Sequence, residues 1–236
     1  MPRLLSFLLF LAAGPALAGD YADREFLGFS EDGRYFAFEE YGVQDGSGFP
    51  YSNIYFIDID SDSWVDGTPI RLRIDTDGAP LHETRAEARD KAQPFLAKLG
   101  ISRAGLLAAS NPATETSADP HSVSFLPRLI VPPSGDGMTL RITENEMPAG
   151  TCPDFGAPYK GFTLTLEDEA GETVTLHADD AIPASRRCPV GYAISDVVTF
   201  HPAGETAVLV VVLSVFSLGF EGPDRRFIAI STRLNG

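Results

Sequence analysis

The sequence is short of the residues on which most protein-borne chemistry depends. It holds four histidines, His82, His121, His177 and His201, and no two stand at a metal-ligand spacing. It holds two cysteines, Cys152 and Cys188, with no C-x-x-C pair, so the redox and zinc motifs built on that spacing are excluded. No G-x-S-x-G elbow occurs, and the commonest sequence signature of a serine hydrolase is therefore missing. A Ser-His-Asp site assembled in space stays open, because such triads have no fixed order along the chain. Positive charge is scarce too: 18 Lys and Arg against 33 Asp and Glu leave a net charge of −15. Nucleic acid and anionic membrane surfaces would repel such a chain, and neither is expected as a partner. Past the N-terminal leader no apolar run reaches the length of a bilayer span. The longest, Ala207–Leu213 (AVLVVVL), is strand-sized and rich in β-branched residues, and it reads as a buried strand.

What is present begins with that leader. Arg3 supplies a positive start, Leu4 to Ala13 an apolar stretch of about ten residues, and Gly14-Pro15 a helix break. Ala16-Leu17-Ala18 is the small-x-small pattern of a signal cleavage site. Residues 1–18 are thus expected to be a signal peptide, cut between Ala18 and Gly19, with residues 19–236 forming one exported, soluble domain. No cysteine follows the junction and no twin arginine precedes the apolar stretch, so neither a lipid anchor nor folded-state export is expected. In an oxidising compartment the two cysteines are expected to pair. A Cys152–Cys188 bridge would close a loop of about 37 residues, worth roughly 4 kcal/mol of unfolded-chain entropy. Each cysteine precedes a proline, which places both in loops.

The patterning predicts a mainly β fold of antiparallel meanders, propeller-blade-like or sandwich, with a helical insertion near residues 82–109. Residues 24–60 read as a three-stranded meander: Glu25–Ser30, a turn at Glu31-Asp32-Gly33, the aromatic alternation RYFAFEEY, a Gly-rich loop, then NIYFIDID. Residues 194–232 repeat the design. An offset of 171 without gaps pairs Phe29 with Phe200, Gly33 with Gly204, Gly48 with Gly219, Phe49 with Phe220, Phe56 with Phe227, Ile57 with Ile228 and Ile59 with Ile230. Between these units, His82–Leu99 carries an apolar stripe at helical spacing that Gly100 is placed to end, and a second short helix is expected over Arg103–Ala109. FTLTLEDEAGETVTLHAD is the clearest hairpin, bracketed by the two cysteines at 152 and 188.

The stretch GFSEDGRYFAFEEYG followed by NIYFIDID resembles a blade repeat of the Tol-type periplasmic propellers. Phe29, Ser30, Asp32, Gly33, Ala37, Phe38, Ile54, Tyr55 and Asp58 fit that repeat, and Glu31 departs where proline is usual. The resemblance implies blade-like meanders; two copies fall short of a ring, which needs at least four blades. The mature chain as a whole is similar to a family of bacterial predicted secreted proteins of unknown function, through the leader, FSEDGRYFAFEEYGVQDGSGFPYS, IDIDSDSWVDGTP and FHPAGETAVLVV. That resemblance implies a compartment and an architecture and no mechanism.

Asp58, Asp60 and Asp62, with Asp66 beyond them, open like a calcium loop, D-x-D-x-D. Such a loop needs glycine at its sixth position and glutamate at its twelfth, and here those are Ser63 and Pro69. The three aspartates stand as the candidate cation ligands, against a solvated strand end and turn; no other cofactor is expected. Trp64, the only tryptophan, is either a partner contact or a core cap. The aromatic loop Asp45–Ser52 suits a binding surface. The functional expectation is a non-enzymatic periplasmic or extracellular protein that binds an envelope protein or a small ligand, against an exported hydrolase with a dispersed site.

Overall fold

The computed structural model describes residues 19–234 apart from 130, 133, 134, 136, 154, 155, 157, 220 and 221. The expected leader lies outside the described residues, as do Ala18 and Phe220. The fold is mainly β and antiparallel, with one α-helix and three sheets. The N-terminal sheet contains β1 (Asp23–Ser30), β2 (Tyr35–Val43), β3 (Pro50–Asp58), β4 (Ser63–Trp64), β5 (Ile70–Arg73) and, after helix α1 (Leu81–Leu99), β6 (Ile101–Arg103). Next in the chain is β7 (Leu106–Ser110). A disulfide-side sheet follows as the meander β8 (Ser122–Phe125), β9 (Met138–Met147), β10 (Tyr159–Glu167) and β11 (Thr173–Ala178). The central sheet is β12 (Pro189–Phe200), β13 (Val208–Leu218) and β14 (Pro223–Arg233), in the order β14-β13-β12-β7.

The continuous apolar run of β13 explains the stacking. Successive side chains of a strand point to opposite faces. Val208, Val210 and Val212 pack with Phe29, Phe36, Phe38 and Ile57 of the N-terminal sheet. Leu209, Val211, Leu213 and Val215 pack with Leu140, Ile142, Phe162 and Leu164 of the disulfide-side sheet. Strand β13 is therefore buried on both faces, and alternation with polar residues has no place in most of it. The outer face of the N-terminal sheet is closed by α1, where Ala88 and Ala92 meet Ala37, Ile54 and Phe56. Gly100 ends this helix in the left-handed region, at φ 65°, and its N–H donates back to the last turn.

The second short helix expected over 103–109 is not formed; those residues are strand. Ile101–Arg103 pairs with β1, and Leu106–Ser110 pairs with β12. Between them Gly105 crosses from one sheet to the next, where a Cβ would lie 2.6 Å from Phe29 and 2.7 Å from Val198. Strand pairing outweighs the local helix propensity of Ala and Leu in this stretch.

The two meanders share strand order, and Gly33 and Gly204 both sit at positive φ in the first turn. Phe29 and Phe200 stack face to face at 5.0 Å, joining the two sheets. Their pairing registers differ. Phe29 opposes Phe36, but Phe200 opposes Val208 where the gap-free offset would place Ala207. Val43 opposes Pro50 across six intervening residues, whereas Leu218 opposes Pro223 across four. The loop lengths are therefore not matched, and the sheets stack without closing into a ring.

Candidate functional site

Strand β2 carries two adjacent glutamates, and the pleat sends them to opposite faces. Both side chains are buried. Glu39 points under α1, where it accepts hydrogen bonds from Arg85 Nε and Arg89 Nε at 2.9 and 3.0 Å and from Ser52 Oγ at 2.9 Å. Burial alone would raise its pKa; the bonds from Arg85, Arg89 and Ser52 outweigh burial and hold the carboxyl below its ordinary value. Glu40 points the other way, toward β14. It accepts from the Phe227 N–H at 2.7 Å and Asn53 Nδ2 at 3.1 Å, and Arg226 stands off at 3.9 Å. Burial dominates there and raises its pKa.

Glu40 belongs to a row of oxygens along β14, the edge of the central sheet. The Arg225 N–H donates to the Asp20 carbonyl at 3.0 Å, Phe227 to Glu40, and Ser231 to Asp62 Oδ1 at 2.8 Å. An edge strand that would otherwise offer free donors is covered by side chains and by the first described residues of the chain. Of the aspartates proposed as cation ligands, Asp60 and Asp62 serve this docking and Asp58 pairs within the N-terminal meander. Asp58 pairs with Arg34 at 3.1 Å, Asp60 with Arg233 at 2.7 Å, and Asp62, at φ 46°, takes Ser231 N and Oγ. No group of three His, Cys, Asp or Glu among the described residues is arranged to hold a metal.

Where β14 meets the N-terminal sheet a cleft of about 410 Å³ opens. Glu40, Tyr51 and Asn53 line its inner part, and Tyr55 and Trp64 its aromatic side. Trp64 is 41 % exposed, so it is a rim residue and not a core cap. Five arginines, 71, 73, 186, 187 and 226, line this one cleft in a protein with 18 basic residues in all. Three are committed. Arg226 pairs with Asp20 and lies over Tyr51, 4.7 Å from the ring centre. Arg73 pairs with Asp75, and Arg186 with Asp179 at 2.6 Å while lying over Phe162. The other two, Arg71 and Arg187, have no carboxylate at ion-pair distance among the described residues. Arg71 lies over Trp64 at 5.5 Å. Arg187 is exposed and held at φ 59°, a region that side chains other than glycine rarely adopt.

The segment bearing Arg186 and Arg187 is fastened by the Cys152–Cys188 disulfide, whose Cα atoms are 5.7 Å apart. Asp179 anchors it from the other end: it accepts from Arg186 Nη1 and from the Phe162 N–H, and lies 2.8 Å from His177 Nε2. Burial would raise the Asp179 pKa, but these partners hold it below its ordinary value. The remaining histidines lie apart. His121 and His201 contact the backbone carbonyls of Tyr192 and Pro127, and His82 sits on α1. Among the described residues no serine, threonine or cysteine side chain is hydrogen-bonded to a histidine.

The sequence reading passed over this arginine cluster, although traces of it were there. In PIRLRID the alternation places Arg71 and Arg73 on one strand face, and SRRC and PDRRF hold the other three. A Glu-Glu pair inside an aromatic strand was itself a signal of buried charge. The loop 45–52 contributes differently from expectation: Phe49 lies under Arg73 and Tyr51 is buried, its hydroxyl donating to Asp20 at 3.1 Å.

A chain of stacked antiparallel sheets, with an arginine-lined cleft at a sheet edge, is the class that fold and site define. Residues 37–233 match the family described as "Predicted secreted protein (DUF2259)", and the chain belongs to that family. No curated protein and no solved structure shows a match. No helix among the described residues is long and apolar enough to cross a membrane.

Proposed function

We propose that this protein is an exported binding protein, cut after Ala18, that holds a small anionic ligand in the arginine-lined cleft outside the cytoplasm. The observation that carries this reading is a pair of guanidiniums, Arg71 and Arg187, with no carboxylate at ion-pair distance among the described residues, at a cleft walled by Trp64, Tyr55 and Tyr51. A guanidinium fork suits carboxylate and phosphate, and an adjacent aromatic face suits the organic part of such a ligand. The net charge of −15 sharpens the point, because it makes a local excess of arginine an exception to the rest of the surface. The disulfide supports a binding role, since it holds one arginine wall in place before a ligand arrives.

Titration calorimetry with a panel of di- and tricarboxylates and sugar phosphates tests this. Saturable binding to the wild type is expected, weakened about tenfold by either Arg71→Ala or Arg187→Ala, the worth of one charge-assisted hydrogen bond. Absence of binding across the panel, or binding indifferent to both substitutions, would overturn the reading.

A further inference from the structure

Nearly every buried side-chain donor in a folded protein finds a partner. Among the described residues two do not: Asn111 Nδ2 and Arg225 Nε. Both residues line the same cavity, of about 250 Å³, on the side of β14 away from Arg226. Asn111 opens the loop that follows β7, and its own N–H is held by the Ser195 carbonyl at 2.7 Å. Arg225 donates through Nη2 to the Ala22 carbonyl at 2.7 Å and lies between the rings of Tyr21 and Phe227, at 5.3 and 5.2 Å.

The charge balance at this cavity is as incomplete as its hydrogen bonding. Among the described residues Arg225 has no carboxylate at ion-pair distance. The carboxylate that acts on Arg225, Asp23, is turned to Arg24 instead: it lies 3.5 Å from the Arg24 guanidinium and accepts the Arg24 N–H at 2.8 Å. Arg24 itself acts on Arg225 as a like charge, and with burial it lowers the Arg225 pKa. Glu115, the carboxylate on the cavity wall, is turned onto the Ser117 N–H and hydroxyl at 2.7 and 2.5 Å. The rest of the wall is largely apolar, with Pro112, Ala118, Ala193, Ile194 and Phe216.

We infer that this cavity is a second ligand site, taking a small organic carboxylate whose oxygens accept from Arg225 and Asn111 and whose short apolar tail packs on Pro112 and Phe216. Two orphan donors in one cavity call for a ligand with at least two acceptors, the unneutralised guanidinium calls for negative charge, and the volume limits the tail to a few carbons. The site is independent of the cleft, which lies on Arg226's side of the strand.

The test is calorimetry on the full mature protein with sodium butyrate and sodium benzoate, with butanol and benzyl alcohol as neutral counterparts. Butyrate or benzoate is expected to bind at least tenfold more tightly than its alcohol. Asn111→Leu and Arg225→Gln are each expected to weaken the carboxylate at least tenfold, while the Arg71→Ala/Arg187→Ala double variant leaves it unchanged. Should Arg225→Gln fail to fold, Asn111→Leu carries the test alone, its fold checked by near-UV circular dichroism. The inference is overturned if neither carboxylate binds, if the alcohols bind as well, or if the Arg71/Arg187 variant loses butyrate together with the cleft ligand. It is also overturned if a crystal structure at saturating butyrate shows ordered water alone on both donors.

Discussion

The two faces of the N-terminal sheet treat one residue type in opposite ways. On the helix face Glu39 is buried against two arginines of α1 and is held ionised. One residue along, on the cleft face, Glu40 is buried just as deeply against a backbone N–H and an amide, with Arg226 standing off at 3.9 Å and itself paired to Asp20, and Arg187 acting from farther away. The helix face spends a full ion pair on docking an element. The cleft face leaves a carboxylate under-compensated where the cleft opens. Burial by itself therefore says little about what a charged residue does; the partners that reach it decide.

The largest expected effect separates the faces by removing the clamp on one. Replacing Cys152 and Cys188 by serine should cost about 4 kcal/mol in urea unfolding, from the closed-loop entropy lost. Hydrogen exchange should then speed up around Ser185–Arg187 and leave α1 unchanged; loosening of α1 instead would show that the two faces are not independent.

Next comes Glu39→Gln, expected to cost about 3 kcal/mol, because two arginines on α1 lose a shared buried carboxylate. Glu40→Gln is expected to go the other way. Its amide can still accept from Phe227 and donate to Asn53 after an amide flip, so at neutral pH stability should hold or rise by about 1 kcal/mol. A loss comparable to that of Glu39→Gln would show that Arg226 compensates Glu40 fully and would break the comparison.

The pH dependence is the finest test. A carboxyl whose pKa falls on folding stabilises above its unfolded value, ordinarily 4.5, and loses that contribution as pH drops through the lower folded value. The deficit of Glu39→Gln should therefore be full at neutral pH and shrink below about 4.5. A carboxyl whose pKa rises on folding behaves inversely: its penalty builds as pH climbs from 4.5 through the raised folded value. The advantage of Glu40→Gln should be greatest at neutral pH and vanish in acid. Denaturation midpoints of the three proteins from about pH 2 to 8 would read both trends, and parallel curves would refute the contrast.

Much of the local structure was legible along the chain. Period-two alternation marked β2, β3, β10 and β11, and Gly100 marked the helix end. The cysteine pairing followed from compartment and count, and it is present. The turn of the clearest hairpin was visible in LEDEAGE, where Asp168 Oδ1 takes the N–H groups of Ala170 and Glu172 at 2.9 Å. What was not legible were the partners of side chains far apart in sequence. The Asp58–Asp62 run looked like a cation loop because its residue types were right, and only the approach of β14 shows that Ser231 and Arg233 take two of its carboxylates. Residues 103–109 looked helical because propensity is local, while β1 and β12, which recruit the strands there, lie about seventy residues before and ninety after. By itself, then, the sequence determined the faces of the strands, the helix and its end, and the disulfide, because those follow from the nearest neighbours and the parity of a strand. Only the tertiary structure decided that Glu39 is hydrogen-bonded by guanidiniums and Glu40 by a backbone N–H and an amide, and that arginines from three segments line one cleft, because charge is compensated across space and not along the chain.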